Sequence, residues 1–244
     1  VFRQIPHQAF NVGEKITLSV RYMGIPCGEV VLSVSELSTY RGRPVYVTSA
    51  HLYTNKAFSL IYEISDTLTS YVDAEGLFTW RMVKEIHEKK FKEPRQDTLE
   101  IYEYDQGRRL WSKNGEMRGE ILPFTQDFIS AIYYLRGIEW QPEADTIYAP
   151  LNDWKRNYQM SFELGKAQPM AFLSKRLPAR MGRPHIELDG KYRIIGSVGI
   201  WFTDDLRRIP MLIKCNIKLG NLYAKLVDYD PGRKPLAANE RQAR

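Results

Sequence analysis

The sequence predicts a mainly β protein: a large curved antiparallel sheet, open or partly closed as a barrel, with one main helix near residues 125–137. Three observations carry this. Apolar and polar residues alternate with period two through most of the 244 residues, the pattern of strands with one face buried. A single stretch switches to helical period. No fixed-period repeat and no linker rich in Gly, Pro or Ser divides the chain, so residues 1–230 read as a single β-rich domain followed by a polar tail, 231–244.

Ile16, Leu18, Val20 and Tyr22 alternate with polar neighbours, Gly24 to Gly28 supplies a turn, and Val30, Leu32 and Val34 return as the second arm of a hairpin. Tyr40 to Pro44 breaks the chain. Strands are then expected over Val45–Tyr53, Phe58–Ile64 and Leu68–Val72. The turn Asp73-Ala74-Glu75-Gly76 leads into a long strand, Leu77–Lys92. Thr98–Tyr104 and Arg109–Ser112 follow, and Asn114-Gly115 is a hairpin turn. After Pro123 the period changes: Phe128, Ile129, Ile132, Tyr133 and Leu135 recur at helical steps. Thr125 is the expected cap, with Asp127 in the first turn and Arg136 near the end, both suiting the helix dipole. Strands resume over Thr146–Leu151, Tyr158–Leu164, Met170–Lys175, Lys191–Phe202, Ile209–Leu219 and Leu222–Tyr229. Beyond Pro231-Gly232, residues 233–244 hold only Leu236 as a large apolar side chain, which suits a poorly packed terminus. A sheet of this size must hide its edges, and curling around the helix does so.

Lys and Arg number 35 against 29 Asp and Glu, a net charge of +6. The basic residues are dispersed. Lys84–Lys92, interrupted by Glu85, His87 and Glu88, reads as a solvated strand face rather than a nucleic-acid patch. Lys175, Arg176, Arg180 and Arg183, interspersed with Pro178, Gly182 and Pro184, read as a basic loop. No nucleic-acid partner is expected, and no apolar run reaches the length of a transmembrane segment. Cys215 shares its phase with Met211, Ile213 and Ile217, so a buried free thiol is preferred over a disulfide with Cys27. The chain opens on Val1 rather than Met, consistent with a removed export signal or an internal start; a lipid-anchor cysteine would lie before Val1.

Four separated blocks carry a resemblance. Gly13-Glu14-Lys15 with Arg21 to Glu29, Asp66 to Phe78, Gln126 to Arg136, and Trp201 to Tyr229 together resemble domain of unknown function 3108. The sequence departs from that family's pattern at Cys27 and over Leu164 to Met170. The resemblance implies a β-rich exported or envelope-associated bacterial protein, periplasmic or attached to the outer membrane, and brings no reaction, cofactor or catalytic residue.

The most charged motif, Trp201 to Pro210, reads as a structural turn in which Asp204 and Asp205 pair with Arg207 and Arg208 behind Trp201. An acid–base role for the two aspartates is the weaker reading, because neighbours on a strand point to opposite faces. His7, His51, His87 and His185 have no metal-ligand spacing, and Ser197 lacks a nucleophile's strand-turn-helix setting. No metal or cofactor is expected. Aromatic residues make up 12% of the chain, enough to line a cavity as well as fill a core. Tyr102, Tyr104, Trp111 and Tyr133 are the candidate ligand-binding residues. The leading expectation is a non-catalytic envelope protein that binds or carries a lipid or other apolar small molecule within the curved sheet. Its rivals are an envelope scaffold or protein- or glycan-interaction module, and a hydrolase of envelope polymer.

Overall fold

A computed structural model of the chain describes residues 2–143, 145–152, 156–172, 175–188, 191–194, 197–217 and 220–232. The first eight strands form a meander in which each is antiparallel to the one before: β1 (Lys15–Tyr22), β2 (Ile25–Tyr40), β3 (Arg43–Thr54), β4 (Tyr62–Asp73), β5 (Thr79–Lys90), β6 (Gln96–Asp105), β7 (Leu110–Lys113) and β8 (Glu116–Glu120). The chain then crosses to the far edge through α1 (Phe128–Gly137). It returns through β9 (Asp145–Asn152), β10 (Asn157–Leu164), β11 (Gln168–Phe172), β12 (Lys175–Leu188), β13 (Lys191–Ile194), β14 (Ser197–Thr203), β15 (Pro210–Ile217) and β16 (Gly220–Asp230). β11 and β13 each pair with β12, off the main path. The last strand pairs with the first, from Lys15 opposite Asp230 to Tyr22 opposite Leu222. β1 and β16 therefore meet in the middle of the sheet, and among the described residues its main path ends at β8 and β9.

This curved antiparallel sheet is stitched rather than closed. In the linker between β8 and α1, the Gln126 N–H donates to the Pro150 carbonyl (2.8 Å) and the Gln126 carbonyl accepts from the Asn152 N–H (2.9 Å). On the other side the Thr79 N–H donates to the Thr125 carbonyl (3.2 Å), and the Gln106 amide donates to both Thr79 and Thr125 carbonyls. Asn157 Nδ2 donates to the Glu120 carbonyl at 2.5 Å. Two linker residues thus satisfy backbone groups on both arms that a full ladder would otherwise pair.

The alternation of β1 and β2 places Ile16, Leu18, Leu32 and Val34 on the inner face, fully or almost fully buried, and Ala50, Val72, Met82, Phe162 and Phe202 continue this core on other strands. α1 packs its apolar stripe onto them, Tyr133 and Leu135 included. Burial of each such large side chain is worth about 1.5–3 kcal/mol. The helix cap differs from expectation: Asp127, not Thr125, is the N-cap, its Oδ1 accepting from the Ile129 and Ser130 N–H groups while the Ser130 hydroxyl accepts from the Asp127 N–H. Thr125 instead donates to the Leu122 carbonyl. Arg136, in the last turn as expected, does more than suit the helix dipole. It is fully buried against Glu14 in a two-pronged ion pair of 2.6 and 2.7 Å.

Other departures have local causes. Over residues 58–64 the chain makes a 3₁₀ turn, Phe58–Leu60, before β4 begins at Tyr62. Leu77 takes φ +50° in the turn closed by Asp73, whose Oδ1 accepts from the Glu75 and Gly76 N–H groups, so β5 starts at Thr79. β8, Glu-Met-Arg-Gly-Glu, has no apolar alternation to announce it. The basic segment from Lys175 is a strand, not a loop. Pro178 lies opposite Pro169, so two missing donors fall on one rung, and at Gly182 a Cβ would sit 2.0 Å from the Phe162 ring. Lys84 is not on a solvated face either: it turns inward, 3.2 Å from Glu100. Cys27, buried, and Cys215, half-buried, are both free thiols. Of the polar tail only residues 231–232 are described, and 233–244 lie outside the described residues.

Candidate functional site

α1 covers one end of the inner face, against β3, β4 and β9, and does not reach the other end, where the 3₁₀ turn Phe58–Leu60 lies. There the registers bring Val20, Val30, Leu52 and Leu222 onto adjoining strands: Val20 opposite Gly28 and Ala224, Val30 opposite Leu18 and Leu52, and Leu222 opposite Tyr22. With Ile64 and the rings of Tyr22, Phe58 and Tyr62 they line a cavity of about 310 Å³. That volume is at the lower end of the range of about 300–1,000 Å³ for small-molecule sites. A shift of register between Val20 and Arg21 gives β2 an extra residue, Cys27. Its Sγ sits 3.5 Å from the Val20 carbonyl, and burial pushes the thiol pKa up, away from reactivity. Gly28 is required by close approach: a Cβ there would fall 2.1 Å from the Tyr53 carbonyl of β3.

Further along the inner face the chemistry changes. Glu100 accepts from Lys113, from Tyr102 (2.6 Å) and from Lys84 (3.2 Å). Burial alone would raise this carboxyl, but the hydrogen bonds from Lys113, Tyr102 and Lys84 bring it down to about 2. At the cavity wall Tyr62 donates to Glu88 at 2.5 Å; burial first and Glu88 second push its hydroxyl up to about 12. The charged groups are thus engaged with one another, and the cavity presents mainly carbon.

The four aromatic residues expected at a ligand site lie elsewhere. Tyr102 (1% exposed), Tyr104 (0%), Trp111 (5%) and Tyr133 (0%) belong to the packed core. Tyr102 and Trp111 stack at 6.4 Å, and Tyr133 donates to the Ser33 carbonyl at 3.1 Å. None of them lines this cavity. The cavity's own residues carried only the ordinary alternation of strands in the sequence, with no signal to separate them from core.

The charged turn is built around Asp205. Its Oδ1 accepts from the Thr203 hydroxyl and from the Arg207 and Arg208 N–H groups, and its Oδ2 from the Arg207 guanidinium (2.7 Å). Against burial, the Arg207 and Thr203 hydrogen bonds hold its carboxyl below the usual range. Asp204 is exposed, its N–H donating to the Pro178 carbonyl. Arg208 turns inward with φ +44° and donates to the Arg136 carbonyl (2.8 Å). Trp201 faces outward, with Lys214 Nζ 5.1 Å from its ring, in a wider cleft of about 690 Å³ that also holds Glu163, Lys166 and Arg183. Asp127 is fully buried, and burial raises its carboxyl, opposed by the Ser70 and Thr79 hydroxyls at 2.6 Å each and the backbone N–H groups of its own cap. It lines neither the cavity nor the cleft. Among the described residues no group of three or more His, Cys, Asp or Glu is placed to hold a metal ion, and no helix is long and apolar enough to cross a membrane.

A large antiparallel sheet curved around one helix and bridged across an open seam is a β-barrel-like architecture. A crystal structure of a beta-barrel-like protein of domain of unknown function DUF1849 from Brucella abortus shares it, with a TM-score of 0.61 at 14% identity over 96% of this chain and 100% of that one. A "putative exported protein with YmcC-like fold" from Bacteroides fragilis aligns at a TM-score of 0.30 and 8% identity over 94% of this chain and 100% of that one. No curated protein matches the sequence. The family model for "Protein of unknown function (DUF3108)" matches residues 17–227, and the chain belongs to that family.

Proposed function

We propose that the chain is a non-catalytic bacterial envelope protein, exported and periplasmic or outer-membrane-associated, that binds or carries an apolar molecule such as a lipid. The observation that carries this reading is the cavity of about 310 Å³ walled by Val20, Val30, Leu52, Ile64 and Leu222. Burial of an acyl chain against such a surface gains roughly 0.8 kcal/mol per methylene group. Two measurements test it. Native mass spectrometry of gently purified protein is expected to show a co-purified lipid mass. A fluorescent fatty acid is expected to bind the wild type, and Val30→Trp, which fills the cavity, is expected to weaken binding about tenfold or more. Equal binding by Val30→Trp and wild type removes the cavity as the site.

A second reading, an interaction module for envelope glycan or protein, is favoured by the outward Trp201 ring beside Lys214 in the wider cleft. Retention of soluble glycan strands by wild type and loss of it in Trp201→Ala would support that reading.

A further inference from the structure

The mouth of the apolar cavity is ringed by side chains that a soluble surface does not ordinarily display. Met23 (65% exposed) and Ile25 stand on the β1–β2 turn, Leu60 (75%) and Ile61 on the loop before β4, and Phe91 (66%) on the β5–β6 turn. Hydrogen bonds tie these turns into one rim. The Phe91 N–H donates to the Ile61 carbonyl (2.8 Å), the Asn55 side chain to the Pro26 carbonyl (2.7 Å), and the Met23 N–H to the Asn221 carbonyl (2.9 Å). The rim is also continuous with the cavity, because Tyr22 and Tyr62, the immediate sequence neighbours of Met23 and Ile61, line it, as does Phe58, two positions before Leu60.

Among the described residues, unpaired cations at the rim outnumber unpaired carboxylates. Glu63 pairs with Arg95 (3.6 Å) and Glu93 with Lys90 (3.8 Å), whereas Glu88 and Glu29 accept from the neutral hydroxyls of Tyr62 and Tyr53 and keep their charge. Lys56, Lys89 and Lys92 are exposed and make no ion pair among the described residues. Lys92 Nζ stands 5.3 Å from the Phe91 ring, so cation and apolar side chain project together. Protruding apolar side chains flanked by unpaired lysines match the interface of a bilayer, whose acyl boundary takes the former and whose anionic headgroups take the latter.

We infer that this rim docks on the surface of an anionic bilayer with the cavity mouth turned to the acyl layer. An apolar molecule then moves between membrane and cavity without crossing water. The route rests on the carrier reading above; the docking has its own evidence and its own test.

The test is co-sedimentation of the full chain with vesicles of phosphatidylcholine alone and of phosphatidylcholine mixed with phosphatidylglycerol. The wild type is expected to sediment with the mixed vesicles, and less so as salt rises. The triple variant Lys56→Glu/Lys89→Glu/Lys92→Glu is expected to weaken this about a hundredfold or more. Leu60→Asp/Ile61→Asp is expected to weaken it about tenfold. Both variants alter exposed side chains, and their circular dichroism is expected to match the wild type. Fatty-acid loading in vesicle-free solution separates the two readings: rim variants keep it, whereas Val30→Trp loses it yet still sediments. No binding to the mixed vesicles, equal binding to both vesicle types, or undiminished binding by both rim variants overturns the docking. Vesicle binding with no fatty-acid loading leaves docking standing and overturns the carrier reading.

Discussion

His7, in the segment before β1, faces the sheet, its ring 4.3 Å from Phe10 and 5.8 Å from Tyr46 of β3. Its Nδ1 is buried with no hydrogen-bond partner among the described residues. Burial first, and the charge of Arg136 second, hold its pKa down at about 4, from an ordinary value of 6.5. Between those values the unfolded chain takes up a proton that the folded chain refuses, so stability falls as pH drops through that window. At 1.36 kcal/mol per unit, the loss reaches about 2 kcal/mol by pH 5. His7→Phe keeps the ring contacts and removes the proton. Urea unfolding at pH 7 and pH 5 is expected to show a smaller decline for the variant, and equal declines would exclude His7 as the cause. Glu100 acts in a separate window: its contribution is complete above pH 4.5 and is lost only as pH falls toward 2.

Three elements meet at the end of α1. Arg136 donates to Glu14, to the Ala9 carbonyl (3.0 Å) and to the Arg207 carbonyl (3.1 Å), while its own carbonyl accepts from Arg208. One buried guanidinium thus fixes the N-terminal segment, the helix end and the β14–β15 turn together. A charge so enclosed is held by its partner: removal of one member of a buried pair typically costs about 3–5 kcal/mol, whereas removal of both costs less. Arg136→Met is expected to destabilise by that amount in urea unfolding, and Arg136→Met/Glu14→Leu by less than Arg136→Met alone. A double variant as unstable as the sum of the two single variants would show that the ion pair is not the linkage. The sequence showed half of this arrangement. Asp204, Asp205, Arg207 and Arg208 lie within five residues, so their turn could be read from spacing. Glu14 and Arg136 are 122 positions apart and nothing local joins them.

Across the whole molecule the sheet is continuous except where residues 125–126 bridge its arms. Two seam amides, that of Gln126 and that of Asn152 at the end of β9, have their bonds in the isolated bridge, whereas Leu18 and Leu226 face each other inside β1 and β16. Hydrogen exchange is expected to be faster at the first two than at the second two, and equal protection would mean that the seam opens only by global unfolding. Strand after strand was legible because alternation survives wherever one face is wet, as in Ile16, Leu18 and Val20. It failed where tertiary contact sets the residue: Gly182 reads as a loop signal until the Phe162 ring is seen against it. The cavity escaped for a related reason, since Val30 and Leu52 carry the same pattern whether the space before them is filled or empty. The pairing of β1 with β16 also governs assembly. Lys15 meets Asp230 only once β16 has been made, a closure over more than two hundred residues that favours slow folding. Until then one edge of β1 offers unpaired backbone to any neighbouring copy, so a chain cut short before β16 would be prone to aggregate through its first strand.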